Sequence, residues 1–172
     1  MKMSKSILSG MFKICALFAV CLFAAARLPV TADEPARGAA TGRSDAAMRR
    51  IFVDATTKGV VQGFRINGRE LTAEQLEKVR GVVAAAFPKF IARFKAAGFY
   101  DEYKSMFFDP EIRELEEKSL KTETMDEIIK LAEQRLTLIR ERYPKLFDFS
   151  DNDQELKRHY IQMMRDIFAV LE

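Results

Sequence analysis

The hydrophobic pattern that organises the chain lies in LTAEQLEKVRGVVAAAFPKFIARF, from Leu71 to Phe94. Leu76, Val79, Val83, Ala86, Phe90 and Phe94 recur at spacings of three and four, which sets them along one side of a 3.6-residue helix. Val82, Phe87 and Ile91 form its shoulders. Thr72 caps this helix, with Gln75 placed to return a hydrogen bond and Leu71 and Leu76 placed as a hydrophobic staple. Pro88 lacks an N–H and crowds the carbonyl four residues earlier, so the pattern predicts a kink or break there and two helical pieces ending near Gly98. A stripe this wide has to be covered by other elements.

Stripes of the same kind flank it. Ala47, Met48, Ile51, Phe52 and Ala55 predict a first helix over 45–57, with Ser44 as its cap and Gly59 beyond its end. Gly59 to Arg69 is ambiguous: Val60, Val61, Phe64 and Ile66 precede the Asn67-Gly68 turn signal, which favours a loop with an apolar plug over a hairpin. Asp109-Pro110-Glu111 predicts a capped helix with proline in its first turn, running through Ile112, Leu115, Glu116 and Ser119. Thr124 and Glu127 form a capping-box pattern for a helix to about Tyr143. Its face is Ile129, Ala132, Leu136, Ile139 and Tyr143, widened by Ile128, Leu131 and Leu138. Pro144 ends it, and Leu146, Phe147 and Phe149 make a short apolar connection. Ser150 is the expected cap of the last helix, with Asp151 and Asp153 in its first turn. Leu156, Tyr160, Met163, Ile167 and Val170 form that helix's face, with Met164, Phe168 and Leu171 as a second strip. The fold class expected is all-α, a compact bundle of five to six helices with a Pro-kinked central helix.

The start of the chain has a different character. Lys2, Lys5 and Lys13 precede ICALFAVCLFAAA, Ile14 to Ala26, and Val30-Thr31-Ala32 is a small-x-small pattern before Asp33. This predicts a secretory signal peptide over 1–32, too short in its apolar run to span a bilayer. A flexible leader over 33–43 and a single helical domain over 44–172 follow. The expected location is periplasmic or secreted, with no stable membrane insertion after cleavage.

Removal of residues 1–32 also changes the charge balance. It takes four basic residues from 28 and none of the 25 acidic ones, so the mature chain is near −1 instead of +3. Nothing then supports generic binding to nucleic acid. Cys15 and Cys21 lie in the same segment, which leaves the mature chain without thiol or disulfide chemistry. Cys21 also sits in a poor lipobox.

Patterns for chemistry are sparse. There is no GxSxG, CxxC, HExxH or phosphate-binding glycine loop, and no cofactor is expected. His159 beside Glu155 reads as a helix-surface histidine and Met163 as core. The acidic DFSDNDQE from Asp148 lacks the glycine and the glutamate of a calcium loop. Glu114, Glu116 and Glu117 read as a solvated face. The richer segment is FYDEYKSMFF: Phe99, Tyr100, Tyr103, Met106, Phe107 and Phe108 form either the core joint between two helices, a protein- or peptide-binding groove, or a pocket for a small apolar ligand.

At Leu71-Thr72-Ala73-Glu74-Gln75 the chain resembles the LTxxQ signature of the small helical periplasmic stress proteins of the Spy and CpxP type. The resemblance covers these five residues and implies an exported all-helical chaperone or stress-sensor partner, in that family a cradle-shaped dimer. The function expected is an exported protein–protein interaction module, as adaptor, inhibitor, effector or chaperone, whose partner is another protein or peptide, with a homodimer also open. The alternatives are a carrier of a small hydrophobic ligand, with a cavity lined by Phe90, Phe94, Tyr103 and Phe107, and a small hydrolase.

Overall fold

The computed structural model describes residues 40–172. The expected signal peptide and most of the leader lie outside the described residues. Seven α-helices, and no strand, are found among the described residues. They are α1 (Ala40–Ile66), α2 (Ala73–Ala96), α3 (Tyr100–Phe107), α4 (Pro110–Lys121), α5 (Met125–Arg142), α6 (Pro144–Asn152) and α7 (Gln154–Leu171). The all-α class is as expected. The helix number exceeds five to six, because both short aromatic segments, Tyr100–Phe107 and Pro144–Asn152, are helical.

Helix α2 is the centre of the bundle. Thr72 accepts from the Gln75 N–H at 3.1 Å while the Gln75 side chain accepts from the Thr72 N–H at 3.0 Å, closing the capping box. Val79, Val83, Ala86, Phe87, Phe90, Ile91 and Phe94 are buried, so the stripe and its shoulders turn inward together. The helix runs unbroken through Pro88, as one element where two pieces were expected. Pro88 is on the exposed side, away from the packed stripe. At the C-terminal end, Gly98 at φ +78° receives the chain, and the Phe99 N–H closes back on the Phe94 carbonyl at 2.9 Å.

The stripe is covered from two sides, chiefly by α1 and α7. From α1, Phe52 sits 5.4 Å from Phe87 and 5.8 Å from Phe90, ring centre to ring centre. From α7, Leu156, Met163, Met164 and Ile167 are buried in the same core. The Gln75 side chain reaches the Leu171 carbonyl at 3.4 Å, so one cap residue also ties α2 to the end of α7. Helices α4 and α5 pack against each other as a hairpin and meet the rest of the bundle over a smaller area.

Three sequence expectations are corrected. Residues 59–66 are neither loop nor hairpin, since α1 continues to Ile66. Val60 is buried, and Gln62 donates to the carbonyls of Ser119 at 2.6 Å and Thr122 at 2.7 Å, so tertiary contacts outweigh the low helix propensity of Gly59 and Gly63. The Asn67-Gly68 signal is real but marks a helix end: Gly68 at φ +69° donates to Arg65, and Arg69 to Phe64, as in a Schellman cap. Thr124 occupies the N-cap of α5 without a side-chain cap bond, so that capping box is open. Ser150 is not the last helix's cap. Asp153 takes that role, accepting from the Leu156 N–H at 2.8 Å, because α6 extends to Asn152 and displaces the start of α7.

Phe90 is 1 % exposed at the meeting of α1, α2 and α7, so Phe90→Ala is expected to cost about 3–5 kcal/mol. Urea melts check this, and a cost below about 1 kcal/mol would place the ring outside the core.

Candidate functional site

The six aromatic-segment candidates divide between core and surface. Tyr103, Met106 and Phe107 are buried to 1 % exposure or less. Phe99 and Tyr100 are half-buried, and Phe108 is exposed. The buried members complete the aromatic packing of α2: Tyr103 stacks on Phe94 at 4.0 Å and lies 5.8 Å from Phe107, while Phe99 stacks on Phe149 at 4.7 Å. Of the six, only Phe108 and parts of Phe99 and Tyr100 are open to a partner. The four rings named for a ligand cavity, Phe90, Phe94, Tyr103 and Phe107, occupy the core themselves.

Polar groups gather at three joints. Asp45 of α1 accepts from the Tyr100 hydroxyl and lies 3.0 Å from Lys95, which pins α3 and the end of α2 to α1. Burial and the Asp45 carboxylate push the Tyr100 hydroxyl up to about 12. Asp153 pairs with Arg93, which also lies 3.3 Å from Glu155 and rests over the Phe149 ring. The Arg93 guanidinium outweighs burial and holds the Asp153 carboxyl below the usual range. His159 lies 3.7 Å from Glu155 and turns its ring edge-on to Phe90, as a half-buried helix histidine. Met163 is core. Among the described residues no cluster of three metal-ligating side chains occurs.

Asp109 is the most connected carboxylate. It caps α4 through the N–H groups of Glu111 and Ile112, at 3.0 and 3.3 Å, and accepts from Arg142 at 2.9 Å and the Tyr143 hydroxyl at 3.2 Å. Arg142 also grips Glu111 at 2.6 Å. Burial favours the neutral acid, but the Arg142 guanidinium and the two backbone donors prevail, and the Asp109 pKa lies below its ordinary value.

The charge pair inside the α4–α5 hairpin was not foreseen. Glu116 and Arg135 are each 3 % exposed and face one another at 3.8 Å between α4 and α5. The expected solvated face of α4 is thus wrong for Glu116, which lies one turn beyond buried Ile112 and shares its side of the helix. Arg135 replaces the expected Leu136 in the buried row Ile128, Ala132, Arg135, Ile139. Complete burial, and after it the Glu116 charge, raise the Tyr103 pKa. The Nε and Nη2 groups of Arg135 have no hydrogen-bond partner among the described residues.

On the outer side of the same hairpin runs an open groove of ≈ 490 Å³. Leu115 and Leu138 are its half-buried floor, and Glu111, Lys130, Glu133, Gln134 and Glu141 its exposed rim, with Thr137 between. Sequence reasoning missed it because Leu115 and Leu138 were assigned to faces already counted as core and the charges to solvent. Comparison with protein-family models, curated protein sequences and solved structures finds no match to this chain.

Two outcomes follow from these joints. Removing one member of the buried pair, Glu116→Leu or Arg135→Met, strands the other charge and is expected to cost about 3–5 kcal/mol, whereas the double substitution recovers most of the loss. Equal and additive losses in urea melts would show that the two do not act as a pair.

For Asp109 the native pKa is depressed, so its contribution is complete above the unfolded value of about 3.9 and is lost as pH falls through the native value. Asp109→Asn is therefore expected to be less stable than the parent at pH 7, with the gap narrowing as the pH falls below about 4. A pH-independent gap in denaturant melts would contradict an ionised cap.

Proposed function

We propose that this chain is an exported protein–protein interaction module that holds its partner against the α4–α5 groove. The observation that carries this is the groove's make-up: a half-buried apolar floor of Leu115 and Leu138 under an exposed polar rim, the arrangement of an interface patch. Export is supported by the basic, apolar and small-residue order of residues 1–32. The groove is open along the helix pair, which suits a peptide segment or a helix better than an enclosed small molecule.

The buried aromatics of α3 do not line this groove. Phe108 is 38 % exposed and supplies an apolar surface beyond α3, but it is a single ring. The shifted carboxylates Asp109 and Asp153 are each accounted for by a helix cap and an arginine, so neither of them supports the hydrolase alternative.

A photo-crosslinking amino acid placed at Leu115 in the full chain, expressed in the source cells, tests the reading. Discrete adducts are expected from position 115 and not from Lys89, an exposed control on α2. Equal labelling at both positions, or no adduct at position 115, would contradict it.

A further inference from the structure

We propose that the α4–α5 groove receives a basic amphipathic helical segment of a partner protein, an inference that rests on the docking reading above. The rim carries three carboxylates, Glu111, Glu133 and Glu141, against one ammonium, Lys130. Arg142 already engages Glu111, and Glu133 with Glu141 still outweighs Lys130. An acidic rim attracts Lys and Arg side chains and opposes an acidic segment, so charge selects the partner while the leucines supply contact area.

The dimensions fit a helix. The α5 side of the groove runs from Lys130 to Glu141, a rise of roughly 16 Å at 1.5 Å per residue, which matches about three turns of a docked helix. Leu115 and Leu138 come from facing helices and share the floor between them. A segment laid along this seam meets them with apolar residues three or four apart and places its basic residues over Glu133 and Glu141. Glu133 and Glu141 are eight residues apart on α5, about 12 Å, so lysines or arginines two turns apart on the partner reach both.

The probe is a fluorescein-labelled fourteen-residue helix-forming peptide carrying two leucines four residues apart and four flanking lysines, paired with a counterpart in which glutamates replace the lysines. Fluorescence anisotropy gives affinity, and ¹H–¹⁵N NMR shifts in the full chain locate the site. The lysine peptide is expected to bind with shifts confined to the groove, at least tenfold more tightly than the glutamate peptide at low salt. The double variant Glu133→Gln with Glu141→Gln should lose about tenfold of that affinity, and 0.5 M salt should remove the same increment from the parent. Both glutamates are exposed, so the variant retains its fold, verified by an unchanged melt.

Equal binding of the two peptides, an unaffected double variant, or shifts outside the groove would overturn the proposal. So would sedimentation showing the groove filled by a second copy of the chain. The two levels of inference separate cleanly: an adduct from position 115 to an acidic or neutral segment keeps the docking reading and overturns the basic partner. Charge-dependent peptide binding at the groove without any cellular adduct keeps the basic specificity and overturns the docking role.

Discussion

The structure depends on covering one apolar stripe. Helix α2 presents Val79, Val83, Ala86, Phe90 and Phe94 in register, and no single neighbour is wide enough to bury them all. Phe52 from α1, the methionines and Ile167 from α7, and Tyr103 from α3 each take a share. Burying a large apolar side chain contributes about 1.5–3 kcal/mol, so these contacts dominate the favourable side of folding. The polar joints are arranged around this packing. Asp109 and Asp153 cap helix starts and Asp45 lies within α1, and each reaches a cation or hydroxyl on another element, so they fix angles between pieces that the rings hold together.

The α4–α5 hairpin obeys a different balance. Its two helices bury a charge pair where a leucine would serve, and Glu116 and Arg135 must repay their desolvation within that space. The hairpin joins α1 through the two carbonyls held by Gln62 and joins α5 to α4's start through Asp109 and Arg142. Its inner face is therefore specified by directional contacts, and its outer face is left to the groove.

Much of this was legible from residue spacing. The α2 stripe, the Thr72–Gln75 box, the Asp109-Pro110 start of α4 and the face of α7 all follow from 3.6-residue periodicity and cap chemistry, both of which act within one turn of chain. What escaped were effects that arrive from elsewhere in the fold. The helix at Gly59 and Gly63 is held by contacts about sixty residues away, at Ser119 and Thr122. Thr124 had the right pattern but not the bond, because a cap pattern permits the contact without compelling it. Glu116 and Arg135 were hidden by their chemistry, since charged residues are assigned to solvent by default, although each stands at a position where the apolar period calls for a buried side chain. Of the aromatic segment, the sequence could count too many rings for one narrow stripe, but not which would face inward. The groove floor needed two helices placed side by side.

Native-state hydrogen exchange tests the central claim most directly, that α2 is the element whose burial holds the bundle together. The amides of Val83, Phe87 and Phe90 are expected to exchange only through global unfolding, with the same denaturant dependence as the full transition, while α4 and α5 open at lower free energy. Exchange of the α2 amides through local opening, with α4 and α5 as the most protected helices, would contradict it.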